Sequence, residues 1–218
     1  MKKIAIFGGG GFGREIQMLI EQINSATPKW NFIGFFDDGV EKNKYINNSP
    51  ILGGINELNQ FNEELDIVFA IGNPITKKKI IAKLNNVKLS YPILIHPNVQ
   101  IGSSKYVIIG EGCIITAGTI ITVNITIGKH VILNLGCTVG HDTIIGDYSS
   151  FMPSVNISGE VVISDCVYVG TGAKIINQLE IGENTIIGAG AVVSKSLPAN
   201  CTAVGVPAKI VKYNTPNL

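Results

Sequence analysis

The chain has 218 residues, 45% of them apolar, 15% charged and 7% aromatic, with a formal net charge of +1. Disordered chains are poor in apolar residues and rich in charge, so this composition belongs to a folded protein. The longest uninterrupted apolar run, residues 67–71, is far short of the roughly 20 residues of a membrane-spanning helix. The apolar stretch 4–7 after Lys2 and Lys3 is likewise short of the ~7 to 15 residues of a secretory signal. A cytoplasmic protein without membrane attachment is expected.

The 17 basic residues, among them the single arginine Arg14, are balanced by 16 acids, which leaves no basic footprint for nucleic acid. The run Lys77, Lys78 and Lys79 reads as a solvated helix face. Cys113, Cys137, Cys166 and Cys201 lie 24, 29 and 35 residues apart, with no CxxC pair. They read as reduced packing residues, and no metal is expected.

Charge thins after about residue 100, because 20 of the 33 charged residues fall in residues 1–100. Two domains are expected. In the first, residues 3–7 form a short strand, and 12–26 carry helical spacing through Ile16, Leu19, Ile20 and Ile23. Residues 32–36, 67–71 and 93–95 form further strands, with a helix over 75–84. This alternation predicts an α/β domain over residues 1–95, a small Rossmann-like parallel sheet.

Residues 8–13, Gly-Gly-Gly-Gly-Phe-Gly, follow a strand and open a helix, and fit GxGxxG at Gly8, Gly10 and Gly13. Such a loop lets backbone approach a phosphate at a helix N-terminus. Asp37 and Asp38 end the second strand, where an acid can bond a ribose or a base. Taken alone, these residues suggest NAD; a tight turn without a ligand is the plain alternative. About four strands in roughly 95 residues amount to one half of a dinucleotide fold, so one nucleotide is expected.

From Ile109 a period of six takes over. Fifteen consecutive sixth positions are large and apolar, from Ile109, Ile115, Ile121, Ile127, Leu133 and Val139 to Ile187 and Val193. Four residues after most of them stands a small or medium side chain, as at Cys113, Thr119, Val131, Cys137, Thr143, Ser149, Ala173, Thr185 and Ala191. Every third hexad repeats Ile-Gly or Ile-Ser, at residues 109, 127, 145, 163 and 181. Two inward positions per hexad make a flat face, and three faces make an 18-residue turn. Five turns of a triangular prism are therefore predicted over residues 96–198, with a C-terminal extension over 199–218. A β-sandwich would alternate at period two with irregular turns.

This repeat, with the closing residues 205–210 (Gly-Val-Pro-Ala-Lys-Ile), resembles the left-handed parallel β-helix of the hexapeptide-repeat acyltransferases. With the α/β domain in front, the whole chain is similar to the family of NeuD-type sialic acid O-acetyltransferases and PglD-type acetyltransferases of amino-sugar biosynthesis. The resemblance implies a homotrimer that uses acetyl-CoA and no metal. Its acceptor would be the amino group of a nucleoside-diphospho-sugar of 4-amino-4,6-dideoxy type, for bacterial glycan or surface polysaccharide synthesis. Sugar O-acetylation, or a non-catalytic nucleotide-binding trimeric scaffold, are the alternatives. Carried over residue by residue, the resemblance puts the nucleotide sugar on Gly10, Gly11, Phe12, Asp37, Asp38, Gly72 and Lys77. It puts the coenzyme on Ser150, Gly159, Thr171 and Ala189. Phe12 and Ser150 stand where PglD-type members carry His, which leaves the base open between uridine, guanosine or another.

Of three histidines, His96 precedes Pro97 and reads as a linker side chain, and His130 as solvated surface. His141 takes the third place of its hexad, should leave the coil at a corner, and is followed by Asp142. A carboxylate beside an outward imidazole can fix the tautomer that a general base needs, although a surface pair without a role looks the same in sequence. The resemblance implies direct attack with His141 as base and Asp142 orienting it. The same resemblance gives Gly159, 18 residues on, an N–H for the oxyanion and gives Asn134 a supporting place. Cys137 holds an inward position and is expected to be inaccessible as a rival nucleophile.

Overall fold

A computed structural model describes residues 1–103 and 105–214. The chain begins with β1 (Lys2–Phe7), α1 (Gly11–Ala26), β2 (Trp30–Phe36), β3 (Tyr45–Ile46) and β4 (Ser49–Gly53). It continues with α2 (Ile55–Asn59), β5 (Leu65–Phe69), α3 (Pro74–Ile81) and β6 (Leu89–Ser90). Ile4 to Phe7 and Ile67 to Phe69 are buried throughout, which is why they read as apolar runs without alternation: helices cover both faces of a parallel sheet. The strand order is β3-β4-β2-β1-β5-β6, parallel except for the β3–β4 hairpin. Five strands are thus parallel, one more than the four expected. The loops after β1 and β5, which are paired neighbours, open side by side at the carboxyl ends of their strands, where an α/β sheet leaves its crevice.

The predicted strand at 93–95 lies elsewhere. Leu94–Ile95 pairs with Ile114–Ile115 and is the first rung of the second domain. A short apolar run has the same appearance in either sheet, and its partner is decided by what stands beside it. The domain boundary therefore falls before Leu94, and the apolar cluster under α1 runs on through Leu94, Ile114 and Ile132. The two domains share a core.

The second domain is a parallel β-helix with three faces. The first holds Leu94–Ile95, Ile114–Ile115, Ile132–Leu133, Ser150–Phe151, Tyr168–Val169 and Ile186–Ile187; the second runs from Gln100–Ile101 to Val192–Val193; the third runs from Val107–Ile109 to Glu180–Ile181. Rungs pair at a step of 18, as in Leu133 with Phe151, Val139 with Ile157 and Ile145 with Ile163. The second face has six rungs, so the prism has six turns where five are predicted. The added turn is the one beginning at Leu94, whose step of 20 from Ile95 to Ile115 breaks the period. The extension predicted at 199–218 is, as far as Asn214, the end of the prism: Cys201–Val204 pairs with Ile186–Ile187, and Lys209–Tyr213 folds back antiparallel over it.

The inward rows are as the hexads predict. All fifteen large positions are buried except the partly buried Ile109, and the small row from Cys113 to Ala191 is buried as well. Every sixth residue from Gly112 to Gly190 has φ between 54 and 75°. That left-handed conformation turns each corner, even where the residue is Asn124, His130, Asp142 or Glu160. It is disfavoured for L side chains, and coil-to-coil bonds such as Asp142 N–H to Val123 O (3.1 Å) and Glu160 N–H to His141 O (2.8 Å) hold it.

Two sequence expectations fail at the junction of the domains. His130 is 4% exposed, not solvated: its ring stacks on Tyr148 at 5.5 Å and meets Tyr91 edge-on at 5.2 Å. Burial, then the nearby Lys77, pushes its pKa down to about 4. Lys77 is 1% exposed and donates to Ser150 Oγ at 3.1 Å. Only Lys78 and Lys79 form the solvated face of α3. Burial pulls the Lys77 ammonium down to about 7. His96 is as expected, with its Nδ1 accepting the Asn98 N–H at 3.1 Å.

Candidate active site

The hexad places His141 and Asp142 at the corner between the second and third faces. His141 Nδ1 lies 2.8 Å from Asp142 Oδ2, with the two side chains 56% and 49% exposed. Asp142 Oδ1 accepts from Asn124 Nδ2 at 2.9 Å, one coil earlier. These two hydrogen bonds, the one from Asn124 first, hold the Asp142 carboxyl below the usual range, so it stays ionised and acts as an acceptor. The Nδ1 of His141 is thereby set as the donor and Nε2 is left with its lone pair. One coil later, a Cβ on Gly159 would collide with the imidazole at Nε2, Cε1 and Cδ2. The φ of Gly159 is not positive, so its backbone does not require glycine, and a larger residue there would push the imidazole aside.

Asn134 stands apart from this corner. It is buried, and its Oδ1 accepts the N–H of Leu135 at 2.7 Å. It turns the corner between the first and second faces, at the other end of the rung Thr138–Val139 from His141. Thr171 and Ala189 are exposed on the coils above it, along that same corner. Within one chain, Thr171 and Ala189 of the coenzyme set occupy a different edge of the prism from His141 and Asp142, whereas Gly159, assigned to both roles, lies at the His141 edge. Ser150 is fully buried under Lys77, and neither side chain, assigned to coenzyme and sugar respectively, reaches the surface of this structure. Cys137 is also buried, its thiol pushed up to about 11 by burial, which keeps it from serving as a nucleophile.

At the glycine loop, Gly10 caps α1 with no side-chain hydrogen bond, so the first-turn N–H groups face outward as anion donors. A Cβ on Gly10 would meet nothing within 4 Å, whereas one on Gly13 would collide with the Gly8 carbonyl. Close packing of helix on strand requires the second glycine, while the space around the first is open. Asp37 ties the loop down, its Oδ2 taking Gly9 N–H at 2.7 Å and its Oδ1 Gly39 N–H at 2.8 Å. Asp38 Oδ1 takes Ile55 N–H at 2.8 Å. Both acids build the crevice, and each carboxylate keeps free lone pairs. Phe12 packs against the α1 core, and Gly72 closes the crevice beside Met152 of the β-helix. Sequence reasoning missed Asn124, although its place 18 residues before Asp142 was a usable signal. Among the described residues no three His, Cys, Asp or Glu side chains converge as for a metal.

Comparison with known proteins places these features in a family. The profile of the PglD N-terminal domain matches residues 3–84, and that of the bacterial transferase hexapeptide (six repeats) matches residues 160–195. The chain is 36% identical to a GDP-perosamine N-acetyltransferase of Escherichia coli O157:H7, over 97% of each chain. Its fold matches PerB of Caulobacter crescentus, solved with CoA and GDP-perosamine, at TM-score 0.85 and 30% identity over 97% of this chain and 98% of that one. WeeI of Acinetobacter baumannii AYE matches at TM-score 0.87 and 34% identity, over 97% and 100%. The protein belongs to the PglD-type family of hexapeptide-repeat, acetyl-CoA-dependent sugar N-acetyltransferases.

Proposed function

We propose that this enzyme acetylates the amino group of a GDP-linked 4-amino-4,6-dideoxy sugar, with His141 as general base. The observation that carries the reading is the His141 corner: an imidazole oriented through Nδ1 by an ionised carboxylate, its Nε2 turned over a glycine. Support for the acceptor comes from the relatives, one of which is named for GDP-perosamine and another solved in complex with it. The glycine loop and the free N-terminus of α1 suit its diphosphate.

The sugar amine attacks the thioester carbonyl, so a C–N bond forms. His141 Nε2 takes the proton that the nitrogen must lose. The C–S bond then breaks, and the imidazolium returns the proton to the departing thiolate of CoA, leaving the imidazole neutral for the next cycle. Asp142 stabilises the imidazolium between the two transfers. The oxyanion requires a fixed donor, and Gly159 N–H is our candidate. At another corner the amides of Lys129 and Asp147 are capped by the carboxylates of Asp147 and Asp165; among the described residues no carboxylate caps that of Gly159. Since Thr171 and Ala189 lie on a different edge from His141 and Gly159 in one chain, our reading is that a coenzyme touching all of them spans an edge from each of two neighbouring subunits. This favours a trimer of parallel prisms over a scaffold that only assembles.

The test is turnover of GDP-4-amino-4,6-dideoxy sugars with acetyl-CoA, the product identified by mass. His141→Ala should lower kcat by about 10² to 10⁴ with KM for acetyl-CoA little changed. Retention of more than about a tenth of kcat removes the base assignment. An ester product, cleaved by mild alkali, would replace N- by O-acetylation.

A further inference from the structure

The corner column that carries Asp142 holds four polar residues on successive coils: Asn124, Asp142, Glu160 and Gln178. All four have φ between 56 and 61°, so their side chains leave the prism in the same direction, one above another. Asn124 Nδ2 donates to Asp142 Oδ1 at 2.9 Å, and Gln178 Nε2 donates to Glu160 Oε2 at 3.2 Å. Two carboxylates on adjacent coils repel, and each is held by an amide on its outer side. We propose that Asn124 is a positioning residue for acetyl transfer: it holds one oxygen of Asp142 from the coil before, so that the other oxygen stays on Nδ1 of His141.

The physical need follows from exposure. A carboxylate that is half exposed can rotate, exchange its hydrogen bond for water, and release the imidazole to turn over. A second hydrogen bond from a different coil removes that rotation, much as outer partners orient the ligands of a metal site. It also directs Asp142 away from Glu160, whose own N–H is bonded to the His141 carbonyl at 2.8 Å. Asp142 is the charged group of this column that contacts the imidazole, and the Glu160 carboxylate one coil on is bonded to Gln178.

The inference rests on His141 being the base, and its test separates the two. In Asn124→Ala, kcat should fall roughly three- to thirtyfold while KM for acetyl-CoA and for the sugar stay within about twofold. In the nearly isosteric Asn124→Asp, the donor becomes a second negative charge beside Asp142. The imidazole titration of His141, followed by NMR in the ligand-free protein, should then move to higher pH, and the rising limb of the kcat–pH profile should move with it. If His141→Ala abolishes turnover while Asn124→Asp shifts neither the titration nor the limb, the base stands and the positioning role is overturned. The role is also overturned if Asn124→Ala leaves kcat unchanged. If His141→Ala keeps more than about a tenth of kcat, the general-base reading fails by itself, whatever the Asn124 variants do.

Discussion

His141 meets Gly159 at van der Waals range, so the smallest possible side chain there has a defined effect. Gly159→Ala should displace the imidazole and lower kcat at least tenfold, with the melting temperature almost unchanged because the residue's φ suits alanine; steady-state kinetics beside calorimetry checks both. The buried histidine behaves differently. Burial pushes the His130 pKa down to about 4 from its ordinary 6.5, so between those values the unfolded chain binds the extra proton and stability rises with pH. It is fully gained above about 6.5 and lost as pH falls through about 4. His130→Phe, which keeps the stack on Tyr148, should flatten urea midpoints across pH 4 to 6.5. Lys77 follows the same sign higher up: with a folded value of about 7 against 10.5, its burial costs most below about pH 7, and the penalty fades as pH rises toward 10.5. Lys77→Met should therefore stabilise the protein most at or below neutral pH.

At the level of the element, α1 and the prism answer to different forces. The open space around Gly10 implies that Gly10→Val leaves the melting temperature intact and abolishes nucleotide-sugar binding, since the added methyls occupy the approach to the helix N-terminus; calorimetric titration measures the loss. The inward column is less tolerant. Phe151 is fully buried between Leu133 and Val169, its partners on the coils either side, and Phe151→Ala should cost about 3 to 5 kcal/mol in chemical denaturation. A rung in a solenoid has only these two neighbours to close the gap.

On the scale of the whole molecule, the third face carries an outward apolar row. Ile108, Ile144 and Val162 are 65%, 50% and 41% exposed on paired rungs, with Thr126 between the first two. Such a row on an isolated prism calls for a partner. Ile144→Lys together with Val162→Lys should yield monomers by sedimentation, and activity should fall with assembly because the proposed site takes an edge from each of two subunits. Intact trimers in that double variant would show that another face makes the contact.

The period of six determined the prism by itself, because each hexad obeys one local rule: a large residue inward, a small one four later, a left-handed residue at the corner. The same rule carried His141 and Asp142 to a corner and Gly159 beneath them, and the GxGxxG loop was equally local. What lay beyond the sequence was every contact made across the domain junction. No period distinguishes the 93–95 strand from a strand of the α/β sheet, or a buried Lys77 from its solvated neighbours Lys78 and Lys79. Only docking of the first domain onto the first face decided that Lys77 and Ser150 bond each other below the surface, and that His130 stacks in an aromatic pocket. Local pattern records which way a side chain leaves its own coil; what it meets there depends on residues far away in the chain, and those are assembled only by the tertiary fold.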